Sequence, residues 1–184
     1  MNLVPMFVVA VAVGVATVTD LRYLKVYNWL TFPLLAAGLT FHAAREGWGG
    51  LGLALTNVLI VFAILLVPFV LGALGAGDVK LVTALAAWLG TETTFTIAAI
   101  ALFATAAYSL FMLVRQGRLS DTWWSFKLSL VRMTTLDRHM GSEEDSIHEM
   151  AATPEGRARL VPFSVMVAVG TITSILWQLW QTQS

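Results

Sequence analysis

A succession of apolar runs, separated by short polar segments, organises this chain. The runs extend from Leu3 to Thr19, Trp29 to Ala44, Leu51 to Leu74, Val79 to Leu89, Phe95 to Val114 and Leu160 to Trp180. A helix needs about 20 mostly apolar residues to cross the hydrocarbon of a bilayer. The pattern predicts an all-α polytopic membrane protein with about six transmembrane helices. The fourth is short and lies between Asp78 and Glu92. The first run, closed by Asp20, has no basic stretch ahead of it as a signal peptide would and reads as a span.

The basic residues orient these spans. Arg22 and Lys25 follow the first run, and Lys80 follows the third-to-fourth connection. Arg115, Arg118, Lys127, Arg132, Arg138, Arg157 and Arg159 lie between the fifth and sixth, and Arg45 alone falls on the other side. Lys and Arg collect on the cytoplasmic side of membrane proteins, so the three basic loops are expected in the cytoplasm and both termini outside. Trp29, Trp48, Trp88, Trp177 and Trp180 stand near span ends, where aromatic residues anchor at the membrane interface. Residues 115–159 form the one sizeable polar loop of a single domain, 1–184. Over 121–136, Trp124, Leu128 and Val131 recur at helical spacing beside Trp123, Phe126, Leu130 and Met133, with Lys127 and Arg132 among them. That set predicts an amphipathic helix in the headgroup layer. The stretch beginning Gly141-Ser142-Glu143-Glu144 reads as a solvated acidic linker.

Composition narrows the function classes. Of 184 residues, 58% are hydrophobic and 12% charged, and the mean hydropathy is +0.77. Soluble domains carry roughly 25% charged residues, so a soluble globular protein and a disordered one are both excluded. The absence of cysteine removes disulfides, Cys-ligated zinc, iron–sulfur clusters and thiol nucleophiles. A net charge of zero gives a nucleic-acid partner no electrostatic support.

Two acids stand at the cytoplasmic ends of spans. Asp20 closes the first, ahead of Arg22, and Asp78 follows Gly75-Ala76-Gly77 at the start of the fourth. Each has a plain reading: Asp20 as the first wet residue, paired with Arg22, and Asp78 as a helix N-cap. Together they say more, because the topology puts both at one membrane face and at similar depth. Two close carboxylates cannot both ionise cheaply and share a proton near neutral pH. Such a pair supplies a base to activate water and an acid to polarise a peptide carbonyl. Gly75 and Gly77 would let backbone approach a substrate strand closely. This is the constellation of an aspartic protease at a membrane surface.

Gly75-Ala76-Gly77-Asp78-Val79-Lys80 resembles the GxGD(x)K signature of type IV prepilin peptidases. The stretch from Asp20 through Arg22 to Asn28 resembles the family's first motif, with Val26-Tyr27-Asn28 where the family has Ile-Pro-Asn. Leu160-Val161-Pro162-Phe163 and Gly170 are similar to its closing Pro-aromatic…Gly pattern. The resemblance implies an aspartic endopeptidase of the bacterial inner membrane, facing the cytoplasm. It would remove short basic leaders from prepilin or pseudopilin substrates, cutting after a Gly before the hydrophobic helix. Asp20 and Asp78 would be catalytic, with Gly75, Gly77, Lys80, Arg22 and Asn28 in the active-site loops, and no cofactor or metal. Long members carry a Cys-containing domain with methyltransferase activity. This chain resembles the short, peptidase-only form of Flp (tight-adherence) pilus systems, so methylation is not expected.

Other candidates are thinner. His148-Glu149 begins like a HExxH zinc helix, but Ala152 stands where the second His belongs. His139, Glu143, Glu144, Asp145 and His148 read as linker rather than cation site, and His42 has no partnering nucleophile. Asn57 beside Thr56 either lines a cavity or bonds between helices. Lys80 either tunes Asp78 or reaches the headgroups, and Arg22 has the same two readings toward Asp20. A proton-coupled transporter would want acids near the midplane and repeated halves, neither of which this sequence shows. A non-catalytic subunit of a pilus or secretion assembly, its acids serving as helix caps, is a third reading. Presenilin-like proteases share GxGD but need more spans than 184 residues provide. The sequence does not fix an oligomeric state.

Overall fold

A computed structural model of the chain describes residues 3–23, 25–71, 74–116 and 163–181. It folds into helices α1 (Leu3–Tyr23), α2 (Asn28–Val70), α3 (Ala76–Gln116) and α4 (Phe163–Gln181), with no strand among the described residues. The first three are long and apolar enough to cross a membrane, and α4 contributes a shorter apolar helix, Phe163–Trp177. Two compact units divide the chain: Met1–Ala104 with Pro162–Ser184, and Thr105–Val161. Of the second unit only the continuation of α3 is described. The surface helix expected over 121–136 and the acidic linker after it lie outside the described residues.

The expected runs are helical but joined differently. The second and third form α2, and the fourth and fifth form α3. The breaks between them are single glycines rather than polar loops. Gly47 (φ 65°, ψ −150°) and Gly90 (φ 77°, ψ 175°) take backbone angles outside the helix, at positive φ where a residue without Cβ pays no steric penalty. A straight helix of the 43 residues of α2 would reach about 65 Å, twice the roughly 30 Å of hydrocarbon. At Gly47 the chain doubles back instead: a Cβ on Gly50 would lie 2.6 Å from the His42 carbonyl oxygen. Eight residues along a straight helix would separate them by about 12 Å.

Apolar surface gains nothing by leaving lipid tails, so membrane helices associate through close packing and interhelical hydrogen bonds. Segment 76–89, the shortest apolar run, is the most enclosed: Val79, Leu81, Val82, Ala84, Leu85, Ala86, Ala87 and Trp88 are all buried. Its alanines admit neighbours closely, and Gly38 of α2 completes the fit. A Cβ on Gly38 would come within 2.8 Å of the Ala87 Cβ and 2.9 Å of the Trp88 ring. The Trp88 indole N–H donates to the Leu34 carbonyl at 2.8 Å. Trp88 is therefore not the interfacial anchor its position suggested. It is 7% exposed against 89% for Trp48, because its polar edge finds a partner inside the bundle. Asn57 makes an interhelical bond, its Oδ1 accepting from the Thr91 hydroxyl at 2.7 Å, whereas the Thr56 hydroxyl returns to Gly52 of its own helix.

Directions follow from these contacts. Residues 28, 34 and 38 meet 80, 88 and 87, so the first half of α2 and segment 76–89 run the same way. α1 packs on α4, and Gly170 of α4 lies against the Ile97 backbone of α3. Large apolar side chains such as Phe7, Phe32, Leu59 and Phe103 stay exposed on the outer surface, as a lipid-facing bundle requires.

Candidate active site

α1 does not stop at Thr19. It runs to Tyr23 and carries Asp20 in its last full turn, where the side chain is buried rather than wet. A buried carboxylate needs hydrogen bonds, and Ser164 supplies two: its backbone N–H donates to Asp20 Oδ2 at 3.2 Å and its hydroxyl at 2.6 Å. Ser164 is the second residue of α4, so its amide is one of those a helix leaves free at its start. Asp20 thus caps α4 from 144 residues away. The Thr17 hydroxyl, one turn earlier on α1, donates to the Ser164 carbonyl at 3.2 Å. Arg22 is exposed, and no ion pair joins it to Asp20 among the described residues, so the plain reading of Asp20 as an Arg22 partner does not hold.

Asp78 sits in the first turn of α3. The N-cap is Gly75, whose carbonyl accepts the amides of Asp78 and Val79, each at 3.1 Å. Asp78 is the third helical residue, and its carboxylate reaches back to the Gly75 backbone. An N3 acid closes a capping box in this way; Asp78 is not itself the N-cap. The two glycines serve the chain's own packing. A Cβ on Gly75 would stand 3.1 Å from Asp78 Oδ2, and one on Gly77 would stand 3.1 Å from the Val26 Cβ. Gly75 clears space for the carboxylate, and Gly77 lets α3 seat against the strand-like connection before α2.

That connection holds Tyr27 at φ −80°, ψ 139°, the extended conformation that proline also adopts. Tyr27 therefore keeps the backbone of the Ile-Pro-Asn pattern without the proline ring. Next to it, Asn28 Oδ1 accepts from Lys80 Nζ at 3.1 Å. Lys80 is committed to Asn28, and among the described residues it makes no ion pair with Asp78. The pairing ties the start of α2 to the first turn of α3.

The end of α1 and the starts of α2, α3 and α4 come together here. Asp20, bonded to the start of α4, and Asp78, in the first turn of α3, both stand at this end. The partially positive N-termini of three helices face the same end, which favours negative charge there. Of the residues singled out in the sequence, Asp20, Asp78, Gly75, Gly77, Lys80 and Asn28 all enter this cluster, and Arg22 stands at its edge. Ser164 is the member the sequence did not disclose; its only signal is its place two residues after Pro162 in the closing motif. Among the described residues no three His, Asp or Glu side chains gather as a metal site would need.

The sequence profile of the type IV leader peptidase family matches residues 7–110. No curated protein and no solved structure matches the chain. The matched stretch is more than half of the 184 residues and takes in Asp20, Asn28, Gly75, Gly77, Asp78 and Lys80. With the apolar helices that carry these residues, the match makes this membrane protein a peptidase belonging to the type IV leader peptidase family.

Proposed function

We propose that the chain is an aspartic endopeptidase that removes the short basic leader of prepilin- or pseudopilin-like proteins. Cleavage follows a Gly just before the substrate's hydrophobic helix, at the cytoplasmic face of a bacterial inner membrane. Asp20 and Asp78 are the catalytic pair. The observation that carries this reading is that Asp20, bonded to Ser164 at the start of α4, and Asp78, in the first turn of α3, stand at the same end of the bundle although 58 positions separate them in sequence.

With one proton shared between them, the pair can hydrolyse a peptide without other groups. The ionised carboxylate takes a proton from a water molecule, whose oxygen attacks the scissile carbonyl carbon. The protonated carboxyl gives its proton to the carbonyl oxygen, forming a diol. As the diol collapses, a proton passes to the departing nitrogen and the C–N bond breaks. The leader leaves with a new carboxylate, and the mature chain with a new amino group. Hydrolysis of this kind calls for no methyl donor and no cofactor, in keeping with a peptidase-only form.

The breaks at Gly47 and Gly90 support a six-crossing arrangement in which α2 and α3 each traverse the bilayer twice. That arrangement puts the Lys80 end of α3 on the side of Arg22 and Lys25, the cytoplasmic side by their charge. A basic leader held there would meet both acids.

The test is co-expression with a chain made of a basic leader, a Gly and a hydrophobic helix, read by mobility shift and N-terminal sequencing. The mature chain is expected to begin at the residue after Gly. Asp20→Asn and Asp78→Asn should each lower turnover by roughly 10²–10⁴ or more while the protein still folds and inserts. Substantial cleavage by either variant would overturn the proposal.

A further inference from the structure

We infer that Ser164 is a positioning residue for Asp20: it holds one carboxylate oxygen so that the other is presented to the attacking water. This rests on the peptidase reading above and extends it to a residue outside the family match, which ends at 110.

Both hydrogen bonds from Ser164 fall on Asp20 Oδ2, and among the described residues none falls on Oδ1. A carboxylate fixed through one oxygen by two donors cannot rotate about its last torsion without breaking both, so Oδ1 is held in a single direction. The hydroxyl bond, at 2.6 Å, has the short length of a charge-assisted O–H···O⁻ contact.

Ser164 is itself held. It is fully buried, and its amide is fixed by the first turn of α4. The donor therefore has little freedom of its own. A group that must meet water and a scissile carbonyl together gains from such support, since misplacement by about 1 Å costs on the order of 10²-fold in rate. Thr17 acts on a different atom. Its bond goes to the Ser164 carbonyl and joins α1 to α4 without touching the carboxylate, so it separates helix packing from carboxylate positioning.

The experiment compares Ser164→Ala with Thr17→Val in the full-length protein in detergent or nanodiscs, using the leader–Gly–helix chain as substrate. Each variant removes one interhelical hydrogen bond at the same junction, and Ser164→Ala keeps the backbone bond to Oδ2. Ser164→Ala is expected to lower kcat by roughly ten- to a hundredfold with KM within about twofold of wild type. Thr17→Val is expected to match Ser164→Ala in thermal stability and to keep kcat within a few-fold of wild type. Equal loss of kcat in the two variants would assign Ser164 to packing and overturn the inference, as would wild-type kcat in Ser164→Ala. Asp20→Asn and Asp78→Asn are assayed alongside. If they are inactive while Ser164→Ala is unimpaired, the positioning role alone fails. If either turns over substrate well, the peptidase pair fails and the role of Ser164 with it.

Discussion

Gly170 gives the sharpest handle on how helix packing reaches the acids. A Cβ there would lie 2.7 Å from the Ile97 carbonyl oxygen and 3.4 Å from its carbonyl carbon and Cα. These are backbone atoms, so no side chain can turn away to make room. Ordinary contact needs about 3.5 Å, which forces α4 and α3 apart by roughly 0.8 Å. Overpacking of this kind typically costs about 1–3 kcal/mol, partly offset by the better helix propensity of Ala, worth about 0.5–1 kcal/mol. Gly170→Ala should therefore lose about 1–2 kcal/mol of stability. Ser164 lies less than two turns earlier on the same helix. A displacement carried that far stretches the 2.6 Å bond to Asp20 beyond good geometry, and cleavage should fall roughly tenfold. Gly14 and Gly49 supply internal controls, since a Cβ at either meets nothing within 4 Å. Gly14→Ala and Gly49→Ala should be neutral or more stable by up to about 1 kcal/mol. Thermal unfolding in detergent, paired with the cleavage assay, reads all three. A Gly170→Ala protein as stable and active as wild type would refute the packing argument.

Three further outcomes follow from named contacts. Trp88→Phe removes the donor to the Leu34 carbonyl and should cost about 1 kcal/mol in thermal unfolding, whereas Trp48→Phe, at an exposed position, should change little. Asp20→Ala leaves the Ser164 amide and hydroxyl without an acceptor and should lose about 1–3 kcal/mol; Asp20→Asn retains an acceptor oxygen and should stay near wild type, and equal losses would contradict the cap on α4. A reporter active only in the cytoplasm should work when fused after Lys25, Lys80 or Gly141 and fail after Glu46 or Ser184; activity after Ser184 would contradict an even number of crossings.

The apolar runs were legible because a span's requirement is local: enough consecutive residues that tolerate lipid. Their connections were less so. Gly47 and Gly90 interrupt helices by taking positive φ, and a glycine in sequence does not announce whether it will. Gly38 and Gly52, for instance, stay inside α2. Asp20 and Asp78 stood out in the sequence as acids at the ends of apolar runs, Asp78 beside two glycines. How those glycines pack was not legible there, because their close neighbours are Asp78 Oδ2 and Val26, the second contributed by a connection some fifty positions away. The burial of Asp20 could not be read either. An Asp at the end of an apolar run resembles a residue entering water, and its partner Ser164 arrives from the far end of the chain. Trp88 misled for a similar reason. A Trp near a run's end suits the interface, and only the approach of Leu34 and Gly38 from α2 shows that its N–H is satisfied within the bundle.

The central claim is that Asp20 and Asp78 work as one catalytic unit, and a double-mutant cycle tests it most directly. Cleavage of the leader–Gly–helix chain is measured for Asp20→Asn, for Asp78→Asn and for the two combined, each confirmed as folded and inserted. Residues acting on the same step as a pair are grossly non-additive. Each single variant should lose several orders of magnitude, and the double variant should be no worse than either. Independent, multiplying losses would contradict the claim, as would a single variant that still turns over substrate at a substantial rate.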